Sequence, residues 1–220
     1  MSQFKFPSFL YCISSREYAD QENIIAQIKA MALGGAKIIQ YRDKNINPII
    51  FEKNALEIKN ILEKKNILFI INDYLEIANK IGVYQIHLGQ EDLKKYGNTV
   101  KEAVKNIKKI NPKFILGIST HSFKQAQAAS LAGADYIGVG SIFPTKTKKN
   151  PEYIKMEEVE KIANQISIPK VGIGGVNFKN YQLLLKKGLD AVAMVREICV
   201  SSQTGNSYVQ NLSQKITKIL

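Results

Sequence analysis

The sequence has few of the residues that build disulfide frameworks or zinc sites, with two cysteines and two histidines in 220 residues. Cys12 and Cys199 lie on or beside predicted strands and far apart in the chain, so we expect both to be reduced residues in or near the core. A disulfide framework needs more cysteines, and a zinc site needs more histidine and cysteine ligands. We therefore expect neither.

Long apolar runs are also missing. No stretch approaches the ~18 consecutive apolar residues that a membrane helix needs, and residues 1–7 lack the apolar centre of a secretory signal. We therefore expect a soluble cytoplasmic protein with no membrane partner. Apolar residues still make up 45% of the chain, which is enough for a sizeable core.

Basic residues outnumber acidic residues by 31 to 19, which gives a net charge of +12. Such an excess attracts polyanions in general, including nucleic acid. The lysines, however, are spread along predicted amphipathic helices such as KNILEKK and KEAVKNIKK, without interleaved aromatic residues on one surface. This distribution indicates solvated helix faces, so we predict no nucleic-acid partner.

Short apolar runs alternate with helical patterns along the whole chain. The runs are apolar almost throughout, as expected of strands that are buried on both faces. The predicted strands are 9–13, 37–41, 67–71, 85–88, 114–118, a sixth ending at Gly140, 170–173 and 191–195. The predicted helices lie near 20–34, 47–64, a short segment to about 81, 98–110, 122–132, 156–166, 177–187 and 206–219.

A weak internal repeat supports this alternation. The same device, in which a helix stops at a glycine and a strand begins, recurs at 33–38, 131–136 and 187–192. Eight such β–α units close naturally into a barrel. We predict α/β architecture with a single (β/α)8 TIM barrel domain over residues 1–220, and an open doubly wound sheet is the competing architecture.

The most distinctive stretch, residues 138–149, passes from a glycine-rich strand end into a loop with two hydroxyls and three ammonium groups in five residues. Glycine allows close backbone approach, hydroxyls donate hydrogen bonds and lysines neutralise negative charge. The stretch therefore predicts an anionic, phosphate-bearing ligand at a strand end. A solvated basic loop is the alternative interpretation of this stretch alone.

Other predicted strand ends carry similar groups, and barrels of this type place their active sites at the C-terminal ends of the strands. These groups are Gln40, Arg42 and Lys44 after strand two, Asn72 and Asp73 after strand three, residues 87–92 after strand four, residues 119–121 after strand five, residues 172–175 at a predicted helix start after strand seven, and Arg196 after strand eight. Each has an ordinary explanation, such as a helix cap or a tight turn. Together, the carboxylates, cations and glycine turn fit a magnesium-dependent reaction on a diphosphate.

At these residues the sequence resembles the thiamine-phosphate synthase (thiamine-phosphate pyrophosphorylase) family. The matching elements are 40–44, 72–73, 87–92, 117–121, 144–149 and 172–175, in the family's order. The PTxTK loop and the HLGQxD element are specific, whereas the glycine turn occurs in many phosphate-binding barrels. The resemblance implies a (β/α)8 enzyme that joins hydroxymethylpyrimidine diphosphate to thiazole phosphate, giving thiamine phosphate and pyrophosphate.

The resemblance also implies roles for individual residues. By the family's pattern, Asp73 and Asp92 bind the cofactor Mg²⁺, and Ser119 lies beside the reacting end of the pyrimidine. The residues implied to hold the pyrimidine diphosphate are Gln40, Arg42, Lys44, Asn72 and Lys148. Those implied to line the thiazole phosphate side are Thr145, Thr147, Gly175, Val195 and Arg196. The implied catalytic residues are Arg42, Lys44, Ser119 and Lys148, while assembly into a homo-oligomer is left open.

Two departures from the family pattern leave alternatives. Arg196 stands where the family usually has serine, and it either contacts the thiazole phosphate or pairs with an acid such as Glu197. The segment 94–112 is longer than usual and predicts a longer surface helix or loop. Two other functions remain in view. One is a thiazole tautomerase of the same superfamily, in which His121 would transfer a proton, and the other is a non-catalytic barrel that binds a phosphate ligand.

Overall fold

The computed structural model describes residues 4–18, 24–44, 46–145, 153–201 and 205–220. In these ranges eight parallel strands follow one another in chain order, and the eighth pairs with the first, so the sheet closes into a barrel. The strands are β1 (Leu10–Ile13), β2 (Ile38–Tyr41), β3 (Leu68–Asn72), β4 (Gln85–Leu88), β5 (Ile115–Thr120), β6 (Tyr136–Val139), β7 (Lys170–Gly172) and β8 (Ala191–Met194). The predicted (β/α)8 barrel is confirmed.

Helices surround the barrel. They are α1 (Ile24–Leu33), α2 (Pro48–Glu63), α3 (Leu75–Lys80), α4 (Gln90–Leu93), α5 (Val100–Ile110), α6 (Phe123–Ala132), α7 (Met156–Gln165), α8 (Tyr181–Lys186), α9 (Arg196–Cys199) and α10 (Gly205–Ile219). Local chemistry sets several of their ends. The Asn47 side chain caps α2 ahead of a proline in its first turn, and Gly133 ends α6 in the left-handed conformation.

The structure differs from the predicted elements mainly at the C-terminal rim of the barrel. The sequence pattern did not predict the four-residue helices α4 and α9, which follow β4 and β8 closely. Strand β5 continues to Thr120 because it stays paired with β6, with Thr120 opposite Val139. The long segment 94–112 is a turn followed by α5, whose buried side chains are Ala103, Val104 and Ile107.

Side chains alternate along each strand between two cores, as the pleat requires. Those that point outward, such as Leu10 and Ile39, pack under the helices in the larger core. Those that point inward, such as Tyr11 and Ile38, fill the barrel. Cys12 and Cys199 are free and buried, as predicted, and burial raises the pKa of both thiols.

The N-terminal end of the barrel is filled by aromatic rings. Phe4 and Phe6, which precede β1, pack on Tyr136 with ring centroids 5.7 and 5.2 Å away. Tyr136 points inward from β6 and lies across Gly117 of β5, its partner in the sheet. A Cβ atom on Gly117 would lie 2.0 Å from the Cζ of Tyr136, so this position requires glycine.

We expect Gly117→Ala to lower the free energy of unfolding by about 2–3 kcal/mol, because the methyl group would force the Tyr136 ring out of the packed interior. Urea denaturation measures this loss. Gly138→Ala is the matched control, since Gly138 lies in the neighbouring strand and its added Cβ would meet the Cε1 of His87 at 3.2 Å. Gly138→Ala should lower the free energy of unfolding clearly less than Gly117→Ala does. Equal losses in the two variants would contradict this account of the barrel interior.

Candidate active site

A cavity of about 1070 Å³ opens at the C-terminal ends of the strands. It is lined by every predicted site residue that lies in the described ranges, namely Gln40, Arg42, Lys44, Asn72, Asp73, Asp92, Ser119, Thr145, Gly175, Val195 and Arg196. Thr147 and Lys148 lie outside the described residues. The barrel therefore brings the predicted residues together in one place, while their roles toward substrates stay predictions.

Two carboxylates meet at the ends of β3 and β4. Asp73 follows β3 in the left-handed conformation, with φ of 68°, and its backbone N–H donates to the carbonyl of His87, at 3.0 Å. Asp92 lies in α4, directly after β4. Lys44 Nζ lies 3.8 Å from Asp73 Oδ2, and Lys95 Nζ donates to Asp92 Oδ1 at 2.8 Å. The two acids thus face each other with a lysine on either side.

The pKa values of the two acids are shifted in opposite directions. Burial, and then the charge of Asp92, raises the pKa of Asp73 to about 6. Burial also acts to raise the pKa of Asp92, but hydrogen bonds from Lys95 and with Asp73 outweigh it, so that this pKa lies below its usual value. Two carboxylates in contact at neutral pH repel each other, and a cation between them would remove that repulsion.

The oxygen ligands of this pair fit Mg²⁺. In the part of the chain that the structure describes, no group of three or more His, Cys, Asp or Glu residues converges on one point. Asp73 and Asp92 could hold a metal ion with two protein ligands, the other positions being filled by water or by a ligand's phosphates. Mg²⁺ is usually bound in this manner in proteins.

Cationic and amide side chains reach the cavity from the end of β2. Gln40, Arg42 and Lys44 all line it, as the alternation of the strand predicted. The backbone N–H of Arg42 donates to the hydroxyl of Ser14 at 3.0 Å, which fixes the strand end. Burial lowers the pKa of Arg42, which shows that its guanidinium is poorly solvated. A bound anion would compensate this guanidinium for the favourable hydration that it loses on burial.

Asp43 lies between these residues but takes no part in the cavity. Its buried carboxylate accepts hydrogen bonds from Arg16 Nε at 2.9 Å and from Arg16 Nη2 at 2.6 Å. This contact ties the segment after β2 to the turn after β1. The motif at 40–44 therefore combines cavity residues with a structural anchor. Strand alternation separates the two sets, but the sequence does not reveal that Asp43 pairs with Arg16.

A hydrogen-bonded chain crosses the barrel interior at the floor of the cavity. It links Gln40, Tyr11, Tyr136, His87 and Ser119, in that order. The two tyrosines are not among the predicted site residues. The sequence signal for them is their place at inward positions of buried strands, with Tyr136 opposite Gly117. Burial lowers the pKa of His87 to about 4, so its ring is neutral at pH 7.

The glycine turn after β7 is in contact with the loop after β6. Gly174 and Gly175 have φ of 95° and 64°, and a Cβ on Gly175 would lie 2.5 Å from the carbonyl oxygen of Pro144. This close approach holds the loop that leads to Thr145 against the turn. Glycine is required here both for its backbone conformation and for the contact.

The expected helix start at this turn is wrong. Helix α8 begins at Tyr181, six residues after Gly175, because the side chains of Asn177 and Asn180 both donate to the carbonyl of Gly175 and hold the chain in a turn. The nearest helix start to the cavity in this region is that of α9, where Val195 and Arg196 line the wall.

Arg196 is exposed at the cavity wall. Among the described residues no carboxylate forms an ion pair with it, so the expected alternative of a pair with Glu197 is not formed. His121 also lines the cavity, and its Nδ1 contacts the carbonyl oxygen of Gly140. The Arg196 guanidinium carries a positive charge that a bound anion could contact.

Comparisons with known proteins agree on one family. Residues 10–198 match the family model described as thiamine monophosphate synthase. A thiamine-phosphate synthase from Fusobacterium nucleatum subsp. nucleatum is 36% identical over 203 residues, which cover 92% of this chain and 94% of the relative. One from Lawsonia intracellularis is 37% identical over 208 residues, with coverage of 94% and 92%.

Solved structures give the same result. The structure named thiamine phosphate pyrophosphorylase from Pyrococcus furiosus matches with a TM-score of 0.78 and 28% identity, covering 96% of this chain and 94% of that one. A structure named native KDPGal, at 12% identity and a TM-score of 0.69, shows the shared fold alone. In the described ranges no helix is long and apolar enough to cross a membrane.

Without metal, the repulsion between Asp73 and Asp92 should lower the free energy of unfolding. The pKa of Asp73 is about 6 in the folded chain and about 3.9 when unfolded, so the folded state binds more protons between these values and stability falls as pH rises through them. We expect Asp73→Asn, measured in EDTA at about pH 7.5, to raise the free energy of unfolding by about 1–3 kcal/mol. The gain should vanish below about pH 4.

The control for this measurement is Asp73→Ala. Asparagine tolerates the left-handed conformation of this residue, whereas alanine is strained in it. Asp73→Ala should therefore raise the free energy of unfolding less than Asp73→Asn does at every pH. A difference between wild type and Asp73→Asn that does not depend on pH would contradict the repulsion between the two acids.

Proposed function

The chain belongs to the thiamine monophosphate synthase family and acts as a thiamine-phosphate synthase, a transferase, and from that premise we propose a Mg²⁺-dependent transfer of the hydroxymethylpyrimidine group from its diphosphate to thiazole phosphate. One observation carries the proposal. A single cavity at the strand ends contains an acid pair, buried and exposed cations, and a glycine turn. These are the groups that a reaction between a diphosphate and a phosphate ester requires.

The reaction breaks the bond between the pyrimidine methylene carbon and the diphosphate oxygen. The diphosphate departs with the electron pair, and the thiazole nitrogen then forms the new carbon–nitrogen bond. Asp73 and Asp92 would hold Mg²⁺, which when bound neutralises charge on the departing diphosphate. The electron-rich aminopyrimidine stabilises the cation left behind, so the protein need not supply a nucleophile.

The cations at the end of β2 would bind the diphosphate. Arg42 is held by its backbone contact with Ser14 and is poorly solvated, so its charge acts on the leaving group without first shedding water. Lys44 lies beside Asp73 and would exchange part of that ion pair for the diphosphate oxygens. Asn72, the last residue of β3, lines the same wall. Preorganised charge of this kind would supply most of the rate acceleration.

The opposite wall would bind the thiazole phosphate. In barrels of this type, a phosphate commonly lies at the loops after strands seven and eight and at the start of a short extra helix. The glycine turn after β7 and α9 after β8 supply these parts, with Val195 and Arg196 at the helix start. Thr145 lies beside the turn because the preceding proline carbonyl packs on Gly175. The reacting ends of the two substrates would then meet between the walls.

Several parts of the proposal lie beyond the described contacts. Lys148, expected to contact the diphosphate, and Thr147, expected on the thiazole side, belong to the loop after β6, whose described part ends at Thr145. We propose that Lys148 binds the diphosphate and that Thr147 binds the thiazole phosphate. A cytoplasmic location and assembly into a homo-oligomer are further proposals, which rest on the family alone.

We expect the purified chain to make thiamine phosphate and pyrophosphate from the two substrates only when a divalent metal is present. EDTA should abolish turnover and added Mg²⁺ should restore it. Asp92→Asn should lower kcat/KM by one to three orders of magnitude, about 1.4–4 kcal/mol of transition-state stabilisation, because a carboxylate ligand is lost. Product formation is measured by chromatography of thiamine phosphate.

The same assay separates the other candidate functions. A thiazole tautomerase would isomerise the thiazole carboxylate phosphate without the pyrimidine substrate and without metal. A non-catalytic barrel would bind the phosphates with no turnover. Unchanged turnover in EDTA would overturn the metal-dependent mechanism, and absence of thiamine phosphate under all conditions would overturn the proposed transfer.

Arg196 should contribute to binding of the thiazole phosphate, since it is exposed at that wall. Arg196→Ser should raise the KM for thiazole phosphate by about ten- to one-hundredfold, the loss of a charge-assisted contact of about 1.5–3 kcal/mol. The KM for the pyrimidine diphosphate should be nearly unchanged. Steady-state kinetics with each substrate varied in turn measures both values, and equal changes in the two would contradict the contact.

Arg196→Lys is the matched variant for this test. A lysine keeps the charge but cannot form the two-pronged contact of a guanidinium with a phosphate. We therefore expect an intermediate KM for thiazole phosphate. A lysine variant as weak as the serine variant would show that geometry rather than charge governs the contact.

A further inference from the structure

Five side chains from five neighbouring or facing strands form one continuous hydrogen-bonded chain through the barrel. Gln40 Nε2 lies 2.8 Å from the Tyr11 hydroxyl, which lies 3.1 Å from the Tyr136 hydroxyl. That hydroxyl lies 3.2 Å from His87 Nδ1, and His87 Nε2 lies 2.9 Å from Ser119 Oγ. All five residues line the cavity, and the two ends are residues that the family resemblance assigns to the pyrimidine substrate. The three middle residues have no role in the proposed reaction.

The Gln40 amide fixes the direction of the first bond of this chain, and the other bonds can follow it. An amide nitrogen can only donate, so the Tyr11 oxygen accepts from Gln40. Either hydroxyl can donate in the contact between Tyr11 and Tyr136; in the arrangement where each group donates to the next, the single Tyr11 hydrogen goes to the Tyr136 oxygen. In that arrangement the Tyr136 hydrogen goes to His87 Nδ1, which must be unprotonated to accept it.

In the same arrangement, hydrogen-bond donation continues from His87 to Ser119 at the cavity. A neutral imidazole with an unprotonated Nδ1 carries its hydrogen on Nε2, which donates to Ser119 Oγ. The Ser119 hydroxyl hydrogen is then available to a ligand, because no other described side chain bonds to Ser119 Oγ. Gln40 keeps its Oε1 oxygen and its second N–H. The two ends of the chain thus present an acceptor and a donor to the cavity.

We propose that Tyr11, Tyr136 and His87 are positioning residues that transmit the orientation of the Gln40 amide to Ser119, so that Ser119 acts as a hydrogen-bond donor to the pyrimidine. This inference rests on the proposed function for the identity of the ligand. An aminopyrimidine carries an amino group that donates and ring nitrogens that accept. An acceptor on Gln40 and a donor on Ser119 complement that pattern.

Packing fixes the middle of the chain in place. The Tyr136 ring lies across Gly117 and is in contact with Phe4 and Phe6 on its other sides. Its hydroxyl therefore has little freedom to leave His87. Tyr136→Phe would keep this packing and remove only the hydroxyl. It would therefore break the hydrogen-bonded chain between Gln40 and His87 without other change.

The first test measures the tautomer of His87 in the full chain without substrates. The protein has two histidines, so two-bond ¹⁵N–¹H correlation spectra of the labelled protein resolve both rings, and a His121→Asn variant assigns them. We expect His87 to carry its hydrogen on Nε2. Gln40→Glu, at about pH 8 where a carboxylate only accepts, should reverse every bond and move the hydrogen to Nδ1.

Each result of this test is informative. A hydrogen on Nδ1 in the wild type, or on both nitrogens, would overturn the direction of the chain. A hydrogen on Nε2 in both proteins would overturn the control by Gln40. The spectra need no turnover, so they stand apart from the assay for thiamine phosphate, whose failure would instead overturn the proposed function.

The second test is kinetic. Tyr136→Phe should raise the KM for the pyrimidine diphosphate about three- to tenfold, the loss of one oriented hydrogen bond, and leave the KM for thiazole phosphate unchanged. Its urea midpoint shows whether the variant is folded. If Tyr136 serves packing alone, neither KM changes, and this outcome would overturn the positioning role.

Discussion

Closure of the sheet between β8 and β1 is the constraint on which the rest of the molecule depends. Because every strand is parallel, all eight C-terminal ends meet at one rim, and residues more than one hundred positions apart in the chain come to line one cavity. Closure also leaves no free edge strand. The scaffold can therefore carry polar and strained residues at the rim while its strands stay fully paired.

The rim carries groups that oppose stability. Asp73 adopts a left-handed conformation and faces a second carboxylate, and burial adds to the repulsion between them. Arg42 is poorly solvated at the same wall. The charges of the two acids are only partly compensated by their ion pairs with Lys44 and Lys95. Such an arrangement is typical of a site whose charges are completed by its ligands.

The interior below the rim is divided into two zones. Phe4, Phe6 and the Tyr136 ring fill the N-terminal end, where apolar packing dominates. Nearer the rim, the hydroxyls of Tyr11 and Tyr136 and the ring of His87 satisfy one another's hydrogen bonds. A tyrosine suits the boundary because its ring is apolar and its hydroxyl is polar. The floor of the cavity is therefore polar and well ordered.

The sequence by itself determined the alternation of strands and helices, the barrel, and the residues around the cavity, because strand periodicity and glycine stops are local signals and strand ends share one rim. Only the tertiary structure decided the role of Asp43 within the motif at 40–44, because its contact with Arg16 joins different loops. It alone decided the late start of α8, set by side-chain bonds to the carbonyl of Gly175. The chain through Tyr11, Tyr136 and His87 likewise exists only once distant strands are paired, since hydrogen bonds between them leave no trace in sequence spacing.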